Sequence, residues 1–170
     1  MLIAAGANLN RWSEPEGQNY PATPLTVAVE HGQREMIQVL LEAGARINLT
    51  KAERENIVAF YGGAPTALFR THDPQLVELL LDAGADPNIG LDLDEDLADE
   101  LDGATRLEQA IANDELAIAR TLLAHGARFL VSGAEELVRA IEEDNAEMVR
   151  LLFEHGARPP AATEDRKSVV

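Results

Sequence analysis

The chain has no cysteine among its 170 residues. That excludes disulfides, thiolate nucleophiles and cysteine-based zinc sites. No apolar run approaches the roughly 18 residues of a membrane-crossing helix, and the stretch Met1 to Gly6 lacks the basic start and long apolar core of a secretory leader. These absences fit a cytoplasmic setting. Positive charge is also scarce: 14 bases stand against 30 acids, a net charge of −16. Nucleic acid calls for a basic footprint and an anionic membrane surface attracts polybasic segments, so neither is expected as a partner. The acidity would steer a basic protein; it would equally keep an elongated protein in solution. Phosphate-binding glycine loops, nucleophile elbows and HExxH signatures are missing as well. Acidic pairs such as Glu142-Glu143 could do acid–base work, but nothing singles one out, and no catalytic role is expected.

What the chain does have is one short pattern that returns five times. Leu40-Leu41-Glu42-Ala43-Gly44-Ala45 recurs at Leu80 to Ala85, at Leu122 to Ala127 and at Leu152 to Ala157, and a further copy opens the chain at Leu2 to Ala7. Counting back from each of the last four glycines gives four ungapped blocks starting at Thr23, Gly63, Thr105 and Glu135. Apolar type is kept in register: Val29 aligns with Phe69, Ile111 and Ile141, and Ile37 aligns with Val77, Ala119 and Val149. Each block reads as two helices. Met36, Val39 and Leu40 fall at i, i+3, i+4 spacing, a wide apolar stripe suited to contact from both sides of a stack. Gly44, Gly84, Gly126 and Gly156 stand where a helix ends in a left-handed residue. Asp73 is the expected N-cap of a helix opened by Pro74, and Asp114 and Asp144 are expected to play similar parts in later blocks. Stacked units of this kind imply an all-α solenoid.

The run Thr23-Pro24-Leu25-x-x-Ala28, then His31-Gly32, then Leu40-Leu41-Glu42-Ala43-Gly44-Ala45-x-x-Asn48, resembles the ankyrin-repeat family, and Asp86-Pro87-Asn88 resembles the ending of its repeat. The likeness spans roughly residues 1–158, as one domain: a partial repeat at 1–10, then repeats at about 19–48, 59–88, 101–130 and 131–158, with 159–170 as a flexible tail. It implies an all-α ankyrin solenoid that binds another protein and carries no cofactor. Leu68 is bulky where the family usually has alanine, so packing should differ there. The resemblance also implies where a partner meets the stack: loop tips and the exposed ends of first helices. By aligned position these are Tyr20, Glu30 and His31 in block one; Phe60, Arg70 and Thr71 in block two; Asp102, Ala112 and Asn113 in block three; and Glu142 and Glu143 in block four. Trp12 joins them as a loop aromatic of a type enriched at binding hot spots. The competing expectation is that Trp12, Tyr20, Phe60 and Tyr61 pack the long loops onto the scaffold.

Those loops depart most from the family. Its period is 33, whereas the glycines here lie 38, 40, 42 and 30 residues apart. Thr50-x-x-Glu53 is a capping-box pattern that should open a short helix carrying Ile57, Phe60 and Tyr61 on one face. Leu93, Leu97 and Leu101 suggest further helical turns in the acidic segment 90–104. Asp92-x-Asp94-x-Asp96 begins like a calcium loop, but Leu97 and Gly103 stand where that loop needs glycine and glutamate, so a solvated insert is expected and not a cation site. His125 and His155 hold one repeat position near a helix C-terminus, which suits their cations, and adjacent repeats should hold them about 8–10 Å apart, too far to share a metal. Met1-Leu2-Ile3 aligns with Val39-Leu40-Leu41, inside a second helix, so either an upstream segment or a partner is expected to cover that end. The alternative to a partner-binding module is one slice of a longer solenoid that self-associates; an enzyme or metal protein is the remote one. The favoured expectation is a non-catalytic module that binds another protein, one concrete version being an inhibitor or immunity-type protein that covers a basic partner.

Overall fold

A computed structural model describes residues 8–12, 22–53, 66–89, 105–129 and 133–159. Within them, two rows of short helices stack. The first elements of the blocks are α1 (Pro24–Glu30), a 3-10 turn η1 (Ala67–Arg70), α4 (Arg106–Ala112) and α6 (Ala134–Glu142); the second elements are α2 (Arg34–Glu42), α3 (Pro74–Asp82), α5 (Leu116–Ala124) and α7 (Ala146–Glu154). Each first element packs on the second of its block. Between blocks α1 meets η1, α4 meets α6, and α3, α5 and α7 lie side by side. No strand forms among the described residues, and no described helix is long and apolar enough to cross a membrane.

The recurring Leu-x-x-x-Gly-Ala pattern has a local cause. Gly44, Gly84, Gly126 and Gly156 take φ of 88°, 92°, 85° and 91°, a region glycine enters without a Cβ penalty. The reversed chain lets the alanine N–H return to the leucine carbonyl: Ala45 to Leu40 and Ala85 to Leu80 at 2.9 Å, Ala127 to Leu122 at 3.0 Å and Ala157 to Leu152 at 2.9 Å. These are Schellman closures, which bring the alanine against the leucine; both are buried in these four copies.

A second closure joins the two helices of a block and corrects one expectation. Asp73 does cap α3, its carboxylate accepting from the Gln75 N–H at 2.9 Å. Asp114 and Asp144 do not cap. They take left-handed φ of 57° and 54°, as Gly32 does in block one, and the caps are the next residues, Glu115 and Asn145. Asn145 accepts from the Met148 N–H at 2.8 Å. Aspartate tolerates that backbone region better than most side chains, so it can stand in for glycine at the turn.

Starts are capped where the sequence allows. Thr23 and Thr26 exchange side chain-to-backbone bonds at the head of α1, and Thr105 and Glu108 do so for α4. The Thr50–Glu53 box also forms, at 2.9 and 3.3 Å. Here Arg46 adds a guanidinium at 2.7 Å from the carboxylate, and its bond, ahead of the Thr50 N–H, holds the Glu53 carboxyl at a pKa of about 2, below the ordinary 4.5. A depressed carboxylate contributes stability above its unfolded pKa and loses it as pH falls toward the folded value. Arg46→Ala should therefore move the Glu53 carbon resonance titration back toward the ordinary glutamate range; an unmoved titration would discount Arg46 as the cause.

Asparagines tie neighbouring blocks. Asn48 donates to the Gly84 carbonyl at 2.8 Å and accepts from the Asp86 N–H at 2.9 Å; Asn88 does the same with Gly126 at 3.0 Å and Arg128 at 2.9 Å. Asn10 accepts from the Arg46 N–H at 2.7 Å. The next residue in this register is Leu130, whose side chain carries no amide. At that shortest junction Gly133, buried at φ 72°, sits directly on Ala157.

Candidate functional site

The first elements end in a common line of side chains. Glu30 and His31 stand exposed at the end of α1, Asn113 caps α4, and Glu142 and Glu143 close α6. His31 is held by a 2.9 Å bond between its Nδ1 and the Val27 carbonyl. Arg70 ends η1 half-buried, and Trp12 is half-buried. Thr71 sits apart from these. It is buried, its hydroxyl accepts from the Asp73 N–H at 3.1 Å, and its carbonyl is taken by an arginine. It therefore offers little to a partner. Tyr20, Phe60 and Asp102 lie outside the described residues, as do Tyr61 and the acidic segment 90–104.

That arginine, Arg106, is the residue that sequence reasoning missed. Block two replaces the first helix by the short turn η1, followed by extended backbone at Thr71. A 3-10 turn with no continuing helix leaves carbonyls without intrahelical donors. Arg106 supplies them. Only 1% exposed, it donates Nε to the Leu68 carbonyl and Nη2 to the Thr71 carbonyl, both at 3.0 Å. Its charge is balanced by Glu115, whose Oε2 lies 2.8 Å from Nη1 as an ion contact and not an aligned hydrogen bond. The other oxygen of Glu115 pairs with His72 Nδ1. One buried guanidinium thus fixes the backbone from which Arg70 projects. The available signal was Arg106 in the tripeptide Thr105-Arg106-Leu107, where block one has Pro24, facing a block with the bulky Leu68.

A histidine ties the second row. His125 presents Nδ1 to the Thr121 carbonyl at 2.9 Å and Nε2 to Asp82 at 3.2 Å. With acceptors on both nitrogens the doubly protonated ring fits best, and its pKa is raised, first by the Thr121 carbonyl and then by Asp82. Its contribution to stability is present below the unfolded pKa and lost as pH rises through the folded one. These contacts hold the scaffold together. Among the described residues no group of three His, Asp or Glu side chains is placed to hold a metal ion.

Comparison with known proteins agrees with this architecture. Residues 66–163 match the family model described as ankyrin repeats (3 copies), and residues 22–52 match that of the single ankyrin repeat. The chain is similar to the crystal structure of an ankyrin repeat domain from Acinetobacter baumannii, at 25% identity and a TM-score of 0.62, over 92% of this chain and 74% of that one. No match is found among curated proteins.

Proposed function

The chain belongs to the ankyrin-repeat family, and from that premise we propose that it is a non-catalytic module that binds a basic protein partner along the exposed ends of its first elements. Ankyrin repeats generally serve as protein–protein interaction modules. The observation that carries the reading is the division of labour along the stack. Leu25, Leu68, Leu107 and Leu137 of the first elements are buried in the stack, while Glu30, His31, Asn113, Glu142 and Glu143 at one end stay exposed on a backbone fixed by caps and closures. A preset strip loses little entropy on binding. Its carboxylates, on a chain of net charge −16, favour a basic surface and speed encounter with it. Trp12, with Tyr20 and Phe60 in the long loops, would supply apolar anchors. Covering a basic enzyme or toxin, as an inhibitor or immunity-type protein does, is the use that best fits such a strip.

The test is a charge reversal. Glu30→Lys, Glu142→Lys and Glu143→Lys together should weaken a captured partner by at least about tenfold, mostly through slower association, and should flatten its salt dependence. Unchanged affinity and salt dependence, with the helical content intact, would contradict the reading.

A further inference from the structure

Among the described residues, the last block leaves exposed a face that its own register marks as a covered position. Ile141 aligns with Val29 and Ile111, which are 1% and 4% exposed, yet Ile141 is 61% exposed. Phe153 aligns with Leu81 and Leu123, both buried, and is 51% exposed; Val138, one turn before Ile141 on α6, is 41% exposed. In the interior of the stack the next repeat covers these positions. A terminal repeat that merely shields the core carries a polar outer face. This one presents isoleucine, phenylalanine and valine, beside a groove of about 370 Å³ lined by Ala134, Glu135, Val138, Arg139 and Glu142.

The rim identifies the occupant. Residues 133–159 carry seven carboxylates against three arginines, and Glu135, Glu142 and Glu143 border the apolar strip exposed to solvent. A second copy of this chain would bring a further net charge of −16 to that rim and meet like-charge repulsion. An amphipathic helix with an apolar stripe and basic flanks satisfies both features: its stripe packs against Ile141 and Phe153 as a neighbouring repeat does within the stack, and its flanks meet the carboxylates. We propose that the α6–α7 face at the C-terminal end of the stack is a docking site for a basic amphipathic helix of a partner protein. The face shares Glu142 and Glu143 with the strip of helix ends, and the substitutions below leave both carboxylates in place, so either reading can fail alone.

The probe is a fluorescein-labelled helical peptide with leucines at i, i+3, i+4 and i+7 and arginines on both flanks, titrated with the full chain in an anisotropy assay. A second peptide keeps the leucines and carries glutamates on the flanks. The wild-type chain should bind the arginine-flanked probe and not the glutamate-flanked one. Ile141→Glu with Phe153→Glu should weaken binding by at least about tenfold; both side chains are exposed, so the fold should hold, as a thermal melt checks. Equal affinity of wild type and variant, or equal affinity for the two probes, would overturn the proposal. So would sedimentation showing a wild-type dimer that the same substitutions abolish, since the occupant would then be a second copy.

Discussion

Arg106→Met is expected to lower the unfolding free energy by about 3 kcal/mol, as measured by urea denaturation at fixed salt. Methionine replaces most of the buried stem, so a cavity is not the cause. The loss comes from the Leu68 and Thr71 carbonyls, left without the donors now 3.0 Å away, at about 1–3 kcal/mol for each buried group, and from Glu115, left without the cation at 2.8 Å. Glu115 remains 15% exposed, so water recovers part of its share. Glu115→Gln in the Arg106→Met background should return some stability, because it removes the stranded charge. Lysine at 106 keeps the charge but not the planar fork that reaches two carbonyls and a carboxylate together, and should fall between. A loss below about 1 kcal/mol for Arg106→Met would mean that water replaces the guanidinium.

Gly133→Ala should cost about 2–5 kcal/mol, from two separable sources. The residue holds φ 72°, which costs an L side chain roughly 1–2 kcal/mol. The new methyl would also stand 2.7 Å from the Ala157 Cβ, with Ala157 Cα and Phe129 Cδ2 at 3.1 Å, an overpacking penalty of about 1–3 kcal/mol. Gly126→Ala provides the control: at φ 85° with nothing within 4 Å of the added atom, it should pay only the conformational share. Thermal unfolding of the two variants isolates the collision, and Ala157→Gly should relieve part of it at position 133 alone. Equal losses for the two alanines would show that the junction has room to yield.

What the sequence made legible follows from which interactions are local. The Gly-Ala endings, the Asp73–Pro74 start and the Thr50–Glu53 box involve residues within six positions of one another, so composition and spacing carry them. Asp114 and Asp144 were misread because aspartate serves both at caps and in left-handed turns, and only the backbone separates the two uses. Arg106 was invisible for a different reason. Its burial is dictated by carbonyls 38 and 35 residues earlier, exposed because block two makes a 3-10 turn in place of a helix. The candidate strip was legible in position but not in accessibility: Glu30, His31, Asn113, Glu142 and Glu143 stand exposed, while Thr71 turns inward to the same backbone that Arg106 secures.

The most direct measurement is an amide chemical-shift map of the full chain titrated with its captured partner. Binding along the ends of the first elements should perturb Glu30, His31, Asn113, Glu142 and Glu143 together, while the buried second row around Val77 and Ile118 stays still. Perturbations confined to the outer surface of α2, α3, α5 and α7 would contradict it.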